Sequence, residues 1–302
     1  MNCHSFSHQI LGAVVLFLVL FGCRLSNDSL IKVTEENTAS FHPAWSPDGR
    51  RIAFHRRVPC GTPVAGDTAG CRHIFTMNAD GNDVKQLTTG ENVNFDPAWS
   101  RDNRIAFTCN RDQTEEICVI NADGSGFVQL TQSPTNSNQP TWSPNSRQIV
   151  FWHDCSLWAM NADGTNIFPF LEGSEFNCYG FPAWSPDGTQ IAFRLGSASG
   201  GAIHVMNADG SNVRKLTDAP GNNRKPTWSP DGKQIAFERD EQIFVMNADG
   251  TGEQMLTPTD SNGDRYPDWS PIGDKIAFER SSGSDKKYGD TLYQIFTMKM
   301  KQ

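Results

Sequence analysis

From about residue 30 onward the chain is written in short runs where apolar and polar positions alternate. Ile52-Ala-Phe54 is the first such run, and it returns as Ile105-Ala-Phe107, Ile149-Val-Phe151, Ile191-Ala-Phe193, Ile235-Ala-Phe237 and Ile276-Ala-Phe278. A period of two buries one face of a strand and leaves the other to neighbours or water. A second kind of run, Ile74-Phe-Thr-Met77 and its copies, closes in Asn78-Ala-Asp80-Gly81. Asp-Gly between two strands predicts a hairpin, because glycine accepts the positive φ such turns need. A third carries Pro-x-Trp-Ser into a Pro-Asp-Gly turn at Pro47-Asp48-Gly49, varied to Arg101-Asp102-Asn103, Pro144-Asn145-Ser146 and Pro271-Ile272-Gly273. A fourth ends in Leu-Thr, as at Leu87-Thr88, Leu130-Thr131, Leu216-Thr217 and Leu256-Thr257.

These parts follow one another in a fixed order. Trp-Ser pairs stand at Trp45, Trp99, Trp142, Trp184, Trp228 and Trp269, in steps of 54, 43, 42, 44 and 41 residues. That is the length of one four-stranded propeller blade. Four-stranded units that cannot bury both faces alone do so when arranged radially, so the pattern predicts an all-β, six-bladed β-propeller. The sixth unit lacks its last strand, and Ile31-Lys-Val-Thr34 precedes the first Trp block just as Leu-Thr precedes the others. The N-terminal strand is therefore expected to complete the last blade. The six Trp residues hold one place in every unit, which reads as packing between blades rather than as a ligand cage.

The Trp-Ser-Pro-Asp-Gly, Ile-Ala-Phe and Met-Asn-Ala-Asp-Gly elements resemble the repeats of the TolB-like, WD40-like (PD40) β-propeller family over about residues 30 to 300. The resemblance implies the fold, a role in binding partners, and a cation such as calcium in the central channel, with Asp96 and Asp264 as its ligands. TolB itself carries an α/β domain before its propeller and no lipid. Here only a few residues separate Cys23 from the first strand, so roles that need that domain are not expected.

The run Ile10 to Phe21 is too short to span a bilayer but suits the core of a signal peptide. It leads into Leu20-Phe21-Gly22-Cys23, which resembles a bacterial lipobox. The expected organisation is a signal peptide over 1–22, a lipidated tether over 23–29 with the acyl group on Cys23, and a propeller over 30–302. Arg24 after the cysteine implies outer-membrane rather than inner-membrane sorting, by resemblance to enteric lipoproteins. Export favours paired cysteines. Of eight Cys, six remain after Cys3 and Cys23 are set aside, and three bridges are expected: Cys60–Cys71, Cys109–Cys118 and Cys155–Cys178. The second rests on a register that sets Phe107 opposite Ile120 and Cys109 opposite Cys118.

A net charge of −8 without a basic stripe argues against nucleic acid, whose phosphates are bound through clustered Lys and Arg. Catalytic signatures are sparse. Gly196-Ser-Ala-Ser-Gly200 has Ala198 where a nucleophile elbow needs Ser. His42, His55, His73, His153 and His204 show no metal-binding or catalytic spacing and read as loop or strand-end residues. The Asn-Ala-Asp-Gly turns offer two oxygens each, too few for calcium, and no other cofactor is called for.

Strand direction puts the Pro-Asp-Gly and Asn-Ala-Asp-Gly turns on one side of the disc, here the repetitive face. The hairpins between strands two and three and the connections between blades fall on the other, the variable face. Variety among copies is where recognition is most easily built. The residues before each repeated Pro are the candidate partner-binding set: Phe41 and His42 in blade one, Phe95 and Asp96 in blade two, and Asn138 and Gln139 in blade three. Blades four to six supply Tyr179 and Phe181, Arg224 and Lys225, and Arg265 and Tyr266. The leading expectation is a monomeric, non-catalytic lipoprotein of the bacterial envelope that binds an envelope protein or complex through this face. The alternative is a glycan-active hydrolase or lyase, which carboxylates or His residues converging on the channel would favour.

Overall fold

The computed structural model describes residues 30–35, 38–59, 70–90, 92–111, 114–173, 178–197, 200–258, 263–284 and 291–300. Their strands form six four-stranded antiparallel sheets. Blade one is built from Ser40–Trp45, Arg51–Val58, Cys71–Asn78 and Lys85–Gln86, neighbours in that order. Blade six takes Asp264–Trp269, Lys275–Ser284 and Thr291–Lys299 from the C-terminal end, and its outermost strand is Leu30–Lys32 from the N-terminal end. Leu30 lies opposite Met298 and Lys32 opposite Phe296. The ring is closed by the first strand, as expected.

The recurring side chains fill the core in a recurring way. Ile52 faces Met77 across blade one, and Ile191–Met206, Ile235–Met246 and Ile276–Met298 repeat the pair. All six Phe residues of the Ile-x-Phe runs are almost completely buried. Each cluster joins two blades. Trp45 packs with Ala277 and Ile295 of blade six, and Trp228 with Ala192 and Ile203 of blade four. The indoles thus seal blade to blade, at roughly 25 cal/mol for each Å² of apolar surface withdrawn from water.

Leu-Thr acts through hydrogen bonds. The Leu87 amide donates to the Ile74 carbonyl at 2.8 Å and the Thr88 hydroxyl accepts the Ile74 amide at 2.9 Å. Val33 and Thr34 make the same two bonds to Ile295, at 2.9 and 3.0 Å. The turns are equally local. Gly81 has φ +90°, and a Cβ there would stand 2.1 Å from the Val33 carbonyl oxygen, so conformation and close approach both demand glycine. Asp80 accepts the Asn82 amide at 3.0 Å, and Asp123, Asp163, Asp209 and Asp249 do the same two residues on. These carboxylates organise their own turns.

Two of the three expected disulfides are present, Cys109–Cys118 and Cys155–Cys178. Cys71 is also disulfide-bonded, while its expected partner Cys60 lies outside the described residues, as do Cys23 and the whole of 1–29. The register behind the second bridge needs correction. Phe107 faces Cys118, Ile105 faces Ile120, and Cys109 faces Glu116. The two cysteines are diagonal neighbours on one face of the sheet, and strand twist brings their Cα atoms to 5.9 Å, inside disulfide range. The third bridge fastens the tip of the blade-three hairpin to the first residue of blade four.

Candidate binding site at the channel mouth

In every blade the first strand carries a β-bulge just before its Pro. The register slips between Phe41 and Ala44, Phe95 and Ala98, Asn138 and Thr141, Gly180 and Ala183, Arg224 and Thr227, and Arg265 and Asp268. The residue ahead of the Pro then adopts a left-handed conformation, with φ of 48° at His42, 52° at Asp96 and Phe181, and 55° at Gln139, Lys225 and Tyr266. Proline has no amide to give the ladder, and a bulge re-aims the neighbouring side chain. Six side chains of different chemistry are thereby turned to the axis, where they line a cavity of about 240 Å³.

The six interlock. The Lys225 ammonium stands over the Phe181 ring at 4.3 Å and the Tyr266 ring at 4.0 Å, and 3.4 Å from Asp96 Oδ1. His42 stacks on Tyr266 with ring centroids 3.4 Å apart, and its Nδ1 meets the same Asp96 oxygen. Gln139 Oε1 accepts the Phe181 amide at 2.8 Å. The electrostatics follow from this packing. Burial pushes His42 down to about 4, leaving a neutral ring that donates to Asp96. Burial alone would raise Asp96, but Lys225 and His42 hold its carboxyl well below the usual carboxylate range. Lys225 is lowered by burial, which Asp96 partly offsets.

A second layer, missed from sequence, comes from the residue after Ile-x-Phe. His55, Glu238 and Glu279 occupy that place and are buried. Glu279 accepts the His42 amide at 3.0 Å, Glu238 accepts the Tyr266 amide at 3.3 Å, and His55 meets the His42 ring edge-on at 4.7 Å. Asp268, where the other copies carry Ala or Thr, accepts the Trp45 amide at 2.7 Å. Burial pushes Glu279 up to about 8 and Asp268 up to about 7. The reading of His42 and His55 as scattered strand-end residues is therefore corrected: the bulge and the hairpin bring them together.

The other expected residues stand one step out. Phe41 stacks on His55 at 5.0 Å, Phe95 meets the same ring at 6.3 Å, and Asn138 donates to Glu115 at 2.6 Å. Arg224 pairs with Glu238 at 2.6 Å and Arg265 with Glu241. Tyr179 departs from the pattern. Gly180 holds the equivalent place, and Tyr179 packs on Phe193 at 5.6 Å. The implied channel cation does not fit these side chains. Asp96 is neutralised by Lys225, both Asp264 oxygens are taken by Arg280 at 2.6 and 2.8 Å, and no set of three His, Cys, Asp or Glu suited to a metal occurs among the described residues.

The repeats that build this mouth match the TolB beta propeller domain over residues 18–174 and again over 172–300. The chain belongs to the TolB β-propeller family. The fold of a putative TolB from Agrobacterium tumefaciens superposes with a TM-score of 0.65 at 18% identity, covering 88% of this chain and 91% of that one. An oligogalacturonate lyase from Vibrio parahaemolyticus gives 0.56 at 13% identity, over 90% of this chain and 94% of that one. In sequence the chain is 37% identical to dipeptidyl-peptidase 5 of Porphyromonas gingivalis over 130 residues, which is 43% of this chain and 18% of the peptidase. It spans less than a fifth of the curated relatives it matches.

Proposed function

We propose that this TolB-family propeller is an exported, lipid-anchored and non-catalytic binding protein that captures an envelope protein or complex through its variable face. The observation that carries the reading is the mouth. Six bulges of one geometry present six different side chains, and these are held by ion pairs, hydrogen bonds and stacked rings before any partner arrives. Ordering a surface in advance removes an entropic cost from binding. With the channel-facing ring occupied by its own contacts, the half-buried Phe41, Phe95, Asn138 and Arg265 offer themselves to the partner, and aromatics beside Arg are frequent interface anchors. The test is affinity capture after crosslinking in intact cells. Phe95→Ala combined with Arg265→Ala should lose the captured partner while keeping the wild-type melting temperature within a few degrees. Undiminished capture would move the binding surface elsewhere.

A second reading is favoured by one observation. His42, Asp96, Asp268 and Glu279 do converge on the channel, and the last two are held protonated up to near neutral pH, as a general acid would be. A glycan hydrolase or lyase on this propeller would turn over an oligosaccharide and lose that activity in His42→Ala. Absence of turnover across neutral and acidic glycans would remove this reading.

A further inference from the structure

The repetitive-face end of blade six departs from the other five blades in three ways, spread from its inner hairpin to its outermost strand, where the N-terminal strand begins. That strand runs antiparallel to the third strand of blade six, with Leu30 opposite Met298, so it starts at the repetitive face and runs toward the variable face. Six residues, Arg24 to Ser29, separate Leu30 from Cys23. No conformation of such a link spans more than about 25 Å.

The second departure is Ile272. Its counterparts Asp48, Asp102, Asn145, Asp187 and Asp231 each accept the hydroxyl of the Ser two residues earlier. In blade six Ser270 donates instead to Asp274, at 2.9 Å. The turn tip is thus relieved of its hydrogen-bonding task and carries an isoleucine that is 65% exposed. Third, Lys275 lies directly opposite Lys299, where the other five copies set an Asn opposite their second strand, as at Asn78 and Asn247. Like charges directly opposite destabilise a sheet, and the Asp274 carboxylate stands 4.0 Å from the Lys275 ammonium.

An apolar tip on the inner hairpin, two lysines on the strands next out and the root of a short tether on the outermost strand suit one occupant. We infer that the Ile272, Lys275 and Lys299 corner of blade six rests on the anionic bilayer that holds Cys23, so that the variable face points away from the membrane. The inference depends on the lipid anchor proposed above. Ile272 enters the headgroup boundary and the lysines meet lipid phosphates, as basic residues do near an anionic surface. Strands of eight residues, such as Arg51–Val58, then lift the variable face about 26 Å further out.

The experiment uses acylated full-length protein on vesicles of three parts phosphatidylethanolamine to one part phosphatidylglycerol, doped with a headgroup nitroxide lipid. A bimane label is placed through Ile272→Cys on the repetitive face or through Asp218→Cys, on the connection entering blade five at the variable face. Flotation with the vesicles and quenching several-fold stronger at 272 than at 218 are the expected results. Failure to float sinks the anchor and this inference with it. Flotation with equal quenching, or stronger quenching at 218, overturns the orientation alone. On the unacylated Cys23→Ser background, Ile272→Asp with Lys299→Asn restores the residues of the other blades and should weaken salt-sensitive vesicle association about fivefold or more. Unchanged association would also overturn it.

Discussion

Blade one contains an arginine that its own repeats show how to satisfy. Arg56, Arg239 and Arg280 hold the same place on the second strand, each with its guanidinium between two Phe rings, as Arg56 is 5.2 Å from both Phe54 and Phe75. Opposite them stand Ser40, Asn223 and Asp264. Arg280 makes two bonds to Asp264, at 2.6 and 2.8 Å, and Arg239 makes one to Asn223 and a pair to Glu253. Among the described residues Arg56 donates to the Ser40 hydroxyl, at 3.2 Å, and feels the Glu35 charge, but its Nη2 is buried without a hydrogen-bond partner. An orphaned polar group of this kind costs about 1–3 kcal/mol. Ser40→Asp should install the blade-six geometry, because Ser40 and Asp264 share register and complete burial. The new carboxylate loses hydration but gains a two-bond guanidinium partner, so we expect a net gain of about 1–2 kcal/mol, or several degrees in melting temperature for a chain of this size. The reverse change, Asp264→Ser, strips a buried pair of one member and should cost about 3–5 kcal/mol. Differential scanning calorimetry reads both. A Ser40→Asp melting temperature equal to or below wild type would refute the reasoning, since it would mean that Arg56 lacks nothing.

Three further outcomes follow from the same contacts. Gly81→Ala should destabilise by more than the roughly 1 kcal/mol usual for a left-handed glycine, because the added Cβ meets the Val33 carbonyl and strikes the closing strand; chemical denaturation against Gly90→Ala, where a Cβ meets only the Asn92 side chain at 3.5 Å, isolates the clash. Glu279 and Asp268 have folded pKa values raised by burial to about 8 and about 7, so their contribution is complete in acid and is lost as pH rises. Since His42 has already deprotonated there, stability should fall between about pH 6.5 and 8, by at most about 1.4 kcal/mol per pH unit for each carboxyl, and Glu279→Gln should flatten the upper part of a urea-denaturation series. Peptide mapping of the protein purified under non-reducing conditions should recover Cys109–Cys118 and Cys155–Cys178; free thiols at these four positions would contradict the framework.

The fold was legible because the same short phrases recur six times, and a blade's burial needs are met only by its neighbours. Closure was legible for the same reason, as Val33-Thr34 repeats the hydrogen bonding of Leu87-Thr88. The mouth was readable in part. The position before Pro singled out His42, Asp96, Gln139, Phe181, Lys225 and Tyr266, yet what turns them inward is a bulge, and an extra residue in one strand leaves no mark on the alternation. Tyr179 shows the consequence, since counting back from Pro182 without the register chose the wrong side of Gly180. Glu238, Glu279 and His55 were passed over because alternation assigns them to an inter-blade surface, and their reach to the axis depends on sheet twist. The Cys109 register failed by two residues, a slip that preserves facing and so cannot be detected from which side chains are apolar.

The central claim is that recognition belongs to the variable face. A photo-crosslinking residue placed at Phe95, beside the mouth, should give in living cells a discrete adduct with one envelope component, whereas the same residue at Asp187, on a Pro-Asp-Gly turn of the opposite face, should give none. A specific adduct from position 187 with none from position 95 would contradict the account.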